Sequence, residues 1–394
     1  MSGFPVARVK KPQAGRPEPM TSIPSDRPRV EPDDAAISTS RFDRRRLRLA
    51  RESRGVTQRD LATSAGLTAA AVSQFEKGVA KPSPASLDGL ARTLGFPSSF
   101  FSMPSGTSVG EDLDGYFRSL RSTSASDRRR ARARAQLLCY FVRILERRVN
   151  LPKLQLPRFE LDSAVGSQEV ETIAEETRAA WGVADGPVDN VVRSLERHGI
   201  IAARFPVESE RVDAFSVPFP DRPVVVLGSD KSDRGRSRFD AAHELGHLVM
   251  HGQSELGTKA IENQAHWFAA AFLMPAYDIR SDLPSTPDWD RFLGLKQKWG
   301  TSIAALLRRA QTLGVMNDST YVQAMKTMSA RGWRRSEPGY LGPPEAPVLL
   351  GKAMQLVEET GLSLSDIAAD ADLPLDEAMA FVGAASDDRP SVEL

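Results

Sequence analysis

Residues 241–252 read AAHELGHLVMHG and hold three of the chain's five histidines, with a fourth, His266, close behind. On an α-helix, positions four apart lie one turn above each other. The imidazoles of His243 and His247 would then face the same side and could reach a single Zn²⁺ at about 2.1 Å. Glu244 would stand beside the open coordination position, where a carboxylate can take a proton from an activated water and hand it to a leaving amine. The next helical pattern, IENQAHWFAAAFLMP at 261–275, carries an apolar stripe of Ala265, Phe268, Ala269 and Phe272. It places Glu262 near its start, free to complete a His₂Glu set. The alternative, two histidines serving only the core, would leave Glu244 and Glu262 hard to bury without partners.

Working upstream, residues 167–198 show two helical patterns, while IIAARFPV (200–207) and PVVVLG (223–228) have the composition of strands. The region is α+β with a small sheet. RSRFDAAHELGHLVMHG then opens a helix expected to end at Gly252. His251, one turn past His247, reads as a capping or packing residue rather than a ligand. His198, before Gly199, reads as a helix C-terminal residue near the dipole, and His266 as a group behind the ligands or at the surface.

HELGHLVMH followed by ExxAxxFAAxFLMP resembles the ImmA/IrrE family of zinc metallopeptidases, which usually has Asn where this chain has His266. The resemblance implies a zincin-like domain and a cytoplasmic enzyme acting on a repressor protein. It also implies His243, His247 and Glu262 as ligands, with Glu244 as general base.

The formal net charge of +1 conceals a division. Residues 41–150 carry 21 Lys+Arg against 10 Asp+Glu, and residues 151–394 carry 25 against 36. A basic segment beside an acidic one suggests that the first meets a polyanion. In it Leu47 and Ala50, Leu61 and Ala62, Val72 and Phe75, and Leu87, Leu90 and Leu94 recur at helical spacing. Thr57 and Thr68 stand at N-cap positions, and Ala65-Gly66-Leu67 makes a tight turn. The pattern is a helix-turn-helix of four or five short helices. Residues 44–101 resemble the lambda-repressor/Cro (XRE-like) DNA-binding domain. The resemblance implies that the third helix enters the major groove of a double-stranded operator, with Gln58, Thr68, Ser73, Gln74 and Lys77 as candidate contacts. Ala69, Ala70 and Ala71 leave few polar groups on the reading face, so a homodimer on a two-fold operator is expected to supply the rest.

The 41% hydrophobic content and 26% charged content fit a globular chain, and no run of about 18 apolar residues offers a membrane span. Cys139 is the only cysteine, which excludes an intrachain disulfide and, without a signal sequence, suggests the cytoplasm. Residues 1–40, with seven prolines and no periodicity, read as a disordered arm. The expected order continues with the helix-turn-helix domain at 41–103 and a basic linker helix at 104–158, whose Arg128 to Arg134 either extend a phosphate footprint or are merely solvated. The metallopeptidase domain follows at 159–300, a helical extension at 301–338, the linker GYLGPPEAP at 339–347, and a last helical unit at 345–385.

That last unit repeats the first. GVTQRDLATSAGLTAAAVSQF (55–75) aligns with GLSLSDIAADADLPLDEAMAF (361–381) without a gap: Gly55 meets Gly361, Thr57 meets Ser363, Leu61-Ala62 meets Ile367-Ala368, and Phe75 meets Phe381. Asp366, Asp370, Asp372, Asp376 and Glu377 would repel phosphate, so this helix-turn-helix-like copy is expected to serve protein contact or dimerisation, coincidental helical hairpins being the alternative. The chain as a whole reads as mainly α with an α+β centre. The expected function is a DNA-binding regulator carrying a zinc-dependent endopeptidase that cleaves a repressor or itself. The alternative is a non-enzymatic regulator whose peptidase fold senses zinc, a ligand or a partner, or an antitoxin-like regulator.

Overall fold

The computed structural model describes residues 42–102, 124–159, 161, 165–205, 214–219, 221–229, 233–251 and 258–383. The expected arm at 1–40 and Gly252 lie outside them.

Helices α1 (Arg44–Ser53), α2 (Gln58–Ser64), α3 (Ala69–Lys77) and α4 (Pro84–Leu94) close on Leu47, Leu61, Val72, Leu87 and Leu90, all buried. Thr57 and Thr68 cap α2 and α3 as expected, their hydroxyls accepting from Asp60 N and Ala71 N at 3.1 Å. A 3₁₀ turn at Ser98–Ser102 inserts Phe100 and Phe101 beneath α1. Helix α5 (Ala125–Leu145) then lies along α1 and buries Leu137, Leu138, Cys139, Phe141 and Leu145. Burial raises the Cys139 thiol well above its usual range, so it is a packing residue.

Beyond it come α6 (Ser167–Ala180), α7 (Val191–Arg197), β1 (Ile201–Phe205), β2 (Ala214–Val217) and β3 (Val224–Gly228). The strands form one sheet of order β1-β3-β2, with β1 parallel to β3 and β2 antiparallel to it. Strand alternation divides the molecule. Ile201, Ala203, Phe205, Phe215, Val217, Val224 and Val226 face the core shared with α5 and the helix-turn-helix. Ala202, Val225 and Leu227 face a second core.

The second core is built on α8 (Arg234–Met250) and α9 (Lys259–Leu273), followed by α10 (Ala276–Ile279), α11 (Trp289–Trp299), α12 (Ile303–Thr312) and α13 (Asp318–Ala330). Gly246 is what lets α8 and α9 touch: a Cβ there would stand 3.0 Å from the Phe268 ring.

Helices α14 (Leu349–Glu358), α15 (Leu364–Asp370) and α16 (Leu375–Val382) begin 305, 306 and 306 residues after α1, α2 and α3. The repeat extends to the turn, since Gly66 and its counterpart Asp372 both have positive φ, at 69° and 53°. Asp is among the few residues that tolerate that region. The unit packs on α5 and β1. Its acidic groups face the chain's own arginines: Asp376 pairs with Arg54 at 2.7 Å, Asp370 with Arg148 at 2.7 Å, and Glu377 with Arg134 at 3.4 Å. This copy thus lays these three acidic groups on a surface of its own chain.

Residues 339–347, expected as a linker, have no regular structure but are docked. Glu345 is 5% exposed; it pairs with buried Arg238 and accepts from Val192 N at the start of α7 (3.1 Å). Reciprocally, Glu196 of α7 accepts from Val348 N and Leu349 N at 2.9 Å, covering the start of α14. Among the described residues no helix is long and apolar enough to cross a membrane.

Candidate functional site

Helix α8 brings its two histidines to one face, and α9 crosses it so that Glu262, in its first turn, meets them. His243 Nε2 and His247 Nε2 are 3.1 Å apart, and Glu262 Oε2 lies 3.3 Å and 3.8 Å from them. Atoms held about 2.1 Å from one centre at tetrahedral angles would be separated by about 3.4 Å. The three groups thus fit a single small cation. Two further observations point the same way. Imidazole lone pairs at 3.1 Å repel unless a proton or cation lies between them. Among the described residues Glu262 Oε1 is buried without a hydrogen-bond partner, a costly condition for a carboxylate that has no cation to face. Burial raises the proton affinity of Glu262, but its contacts with His243 and His247 outweigh it and hold the group well below the usual carboxylate range, so it is ionised at neutral pH.

A line of hydrogen bonds runs behind His247. Gln264 donates through Nε2 to Val165 O (3.2 Å), which leaves its Oε1 to accept from His251 Nε2 at 3.0 Å. His251 Nδ1 then accepts from His247 Nδ1 at 2.9 Å, and the His247 Nε2 lone pair is turned toward Glu262. Burial, with His247 beside it, lowers His251 to about 4, so it stays neutral and able to accept. On the other side His266 Nδ1 lies 2.8 Å from His243 Nδ1. His266 thus stands on the side of His243 away from the Nε2 that faces His247 and Glu262, and burial with His243 nearby also lowers it to about 4. The fifth histidine, His198, lies away from this centre: it is the C-cap of α7 and stacks on Trp181 at 4.2 Å.

Glu244, next to His243 in the chain, is 4% exposed and accepts from the Ser216 hydroxyl of β2 at 2.6 Å. Burial raises its proton affinity, partly offset by His243 and by that hydroxyl. Strand β2 is an edge strand beside α8.

Two site residues were not singled out from sequence. Ser216 has no signal at all, being 28 residues from Glu244. Gln264 had one: it falls with Ile261, Ala265 and Phe268 on the apolar stripe of α9, where an uncharged polar residue requires a partner.

In the helix-turn-helix, Gln74 and Lys77 are exposed on α3 and Ser73 is half-buried. Thr68 is engaged as the α3 cap, and Gln58 donates to Glu76 at 2.7 Å. Glu76 also receives Arg51 at 2.9 Å, which ties α1, α2 and α3 together.

The comparisons with known proteins agree with this geometry. Residues 47–101 match the helix-turn-helix family model and residues 195–311 match that of the IrrE N-terminal-like domain. No curated protein matches the chain. The chain thus carries a segment similar to XRE-type helix-turn-helix domains at 47–101 and one similar to the peptidase-like IrrE N-terminal domain at 195–311.

Proposed function

We propose that this protein is a DNA-binding regulator whose IrrE-like domain is a zinc-dependent endopeptidase, with His243, His247 and Glu262 as metal ligands and Glu244 as general base. Its substrate is a protein, a repressor or the chain itself. The observation that supports this most strongly is the convergence of His243 Nε2, His247 Nε2 and Glu262 Oε2 from two crossing helices, with Glu262 Oε1 left unpartnered.

When bound, zinc supplies Lewis acidity toward water and the scissile carbonyl. The chain's own residues supply the rest. Glu244, in a nearly water-free position, takes a proton onto its carboxylate and returns it to the leaving amine, while the Ser216 hydroxyl fixes one of its oxygens. Edge strand β2 offers backbone groups on which an extended peptide can lie beside α8. His251 and Gln264 hold His247 in the tautomer that a ligand needs.

The first experiment is the zinc content of the untagged chain by elemental analysis. About one zinc per chain is expected, lost or sharply weakened in His243→Ala and Glu262→Ala. A chain that takes up no zinc on addition would end the peptidase reading and favour a scaffold or sensor.

Gln264→Leu leaves all three ligands in place but frees His251 to turn. Zinc affinity is expected to fall about 10–100-fold by competition with a fluorescent chelator. An unchanged affinity would mean that the hydrogen-bond line does not orient His247.

A further inference from the structure

The helix-turn-helix and α5 share a cleft of about 580 Å³ that lies partly outside the family match, which ends at residue 101. Its walls carry Arg48, Gln58, Arg59 and Lys77 from α1, α2 and α3, and Ser126 and Arg129 from the first turns of α5. The two acidic groups in the wall are neutralised internally: Glu52 accepts from Arg48 at 2.9 Å, and Glu76 is held by Arg51 and Gln58. Arg59, Lys77 and Arg129 are exposed around it. Position is fixed by packing rather than by charge. Arg130 of α5 lies over the left-handed turn at Gly55, its Cδ 3.2 Å from where a Cβ would stand, and α5 runs along α1. The start of α5 is thus carried rigidly beside the start of α2.

We infer that α5 is part of the DNA-binding surface, and that Arg129 takes a backbone phosphate of duplex DNA in this cleft, beside Arg59 and Lys77 of the helix-turn-helix. The inference rests on the DNA-binding reading of the helix-turn-helix and extends it by a contact from outside that motif. Three things favour phosphate over a protein carboxylate as occupant. The exposed charged groups of the lining are all cationic, the amide end of the 21-residue α5 adds partial positive charge, and the cleft is continuous with α3, the element that reads the groove.

The test is a salt titration of the full chain on a 30-base-pair mixed-sequence duplex, which reports phosphate contacts without needing the operator. Each neutralised phosphate adds about 0.9 to the slope of log K against log salt. Arg129→Ala is expected to lower that slope by about 0.9 and the affinity at 0.1 M salt by about eightfold. Arg147→Ala removes the same charge two residues past the end of α5, about 27 Å away at roughly 1.5 Å per residue, and should leave the slope unchanged. A wild-type slope in Arg129→Ala, or an equal loss in Arg147→Ala, would overturn the inference. Lys77→Ala checks the underlying reading separately: if Lys77→Ala weakens binding and Arg129→Ala does not, only the α5 contact fails. A wild-type chain that binds no duplex would remove both.

Discussion

Glu244→Gln should cut proteolysis by about 10²–10⁴-fold while leaving the zinc content of the chain unchanged. The substitution keeps the size of the side chain and its ability to accept from Ser216, 2.6 Å away, so fold and metal site have no reason to respond. What it removes is a basic oxygen in a site where burial has raised proton affinity. The readout is the rate at which new amino termini form in a proteome-derived peptide library, followed by mass spectrometry, with the cleaved motif then sought in repressors and in the chain itself. Cleavage by the variant at the wild-type rate would remove Glu244 as the base. A zinc-loaded wild type that generates no new termini would move the domain to the sensing role, in which Glu244 is dispensable.

Glu345→Ala is expected to destabilise the chain by about 3–5 kcal/mol, because it leaves Arg238, also buried, without its counter-ion. The same carboxylate covers the first turn of α7 through Val192 N. Among the described residues Arg238 would retain the carbonyls of Val188 and Asp189, which accept from it but do not balance its charge. Glu345→Gln, which still offers an acceptor to Val192, should lose less. Urea unfolding of the zinc-loaded chain followed by tryptophan fluorescence measures both. A loss below about 1 kcal/mol for the alanine variant would place this pair with exposed ion pairs and show that segment 339–347 is held by other contacts.

The proposed ligand set is readable from sequence because its spacing is local. His243 and His247 share a helix face wherever α8 forms, and Glu262 was visible as the acidic residue opening the next apolar helix. The same holds for the helix-turn-helix: Thr57, Thr68, Leu61, Val72 and Phe75 act within a turn or two of their own positions, so caps and periodicity suffice. The second copy was legible for that reason too, since Ser363 caps α15 as Thr57 caps α2, and Ile367 and Phe381 are buried as Leu61 and Phe75 are. Strand β2 was not, because AFSV is too short and too ordinary to announce a strand without β3 beside it.

By itself, then, the sequence determined two helix-turn-helix units, a His-x-x-x-His helix with a carboxylate to follow, and a basic half set against an acidic one. Each is specified by side chains a few residues apart, where backbone geometry leaves little freedom. Tertiary structure alone decided which groups meet across long separations. Ser216 was brought to Glu244, Gln264 and His251 were set behind His247, and His266 was turned to the back of His243. Glu345 was buried in what reads as a linker, and the acidic copy was laid on arginines more than 200 residues away. Such pairings depend on how whole helices pack, and a hydrogen-bonding or charged residue carries no mark in the sequence of the partner that will satisfy it.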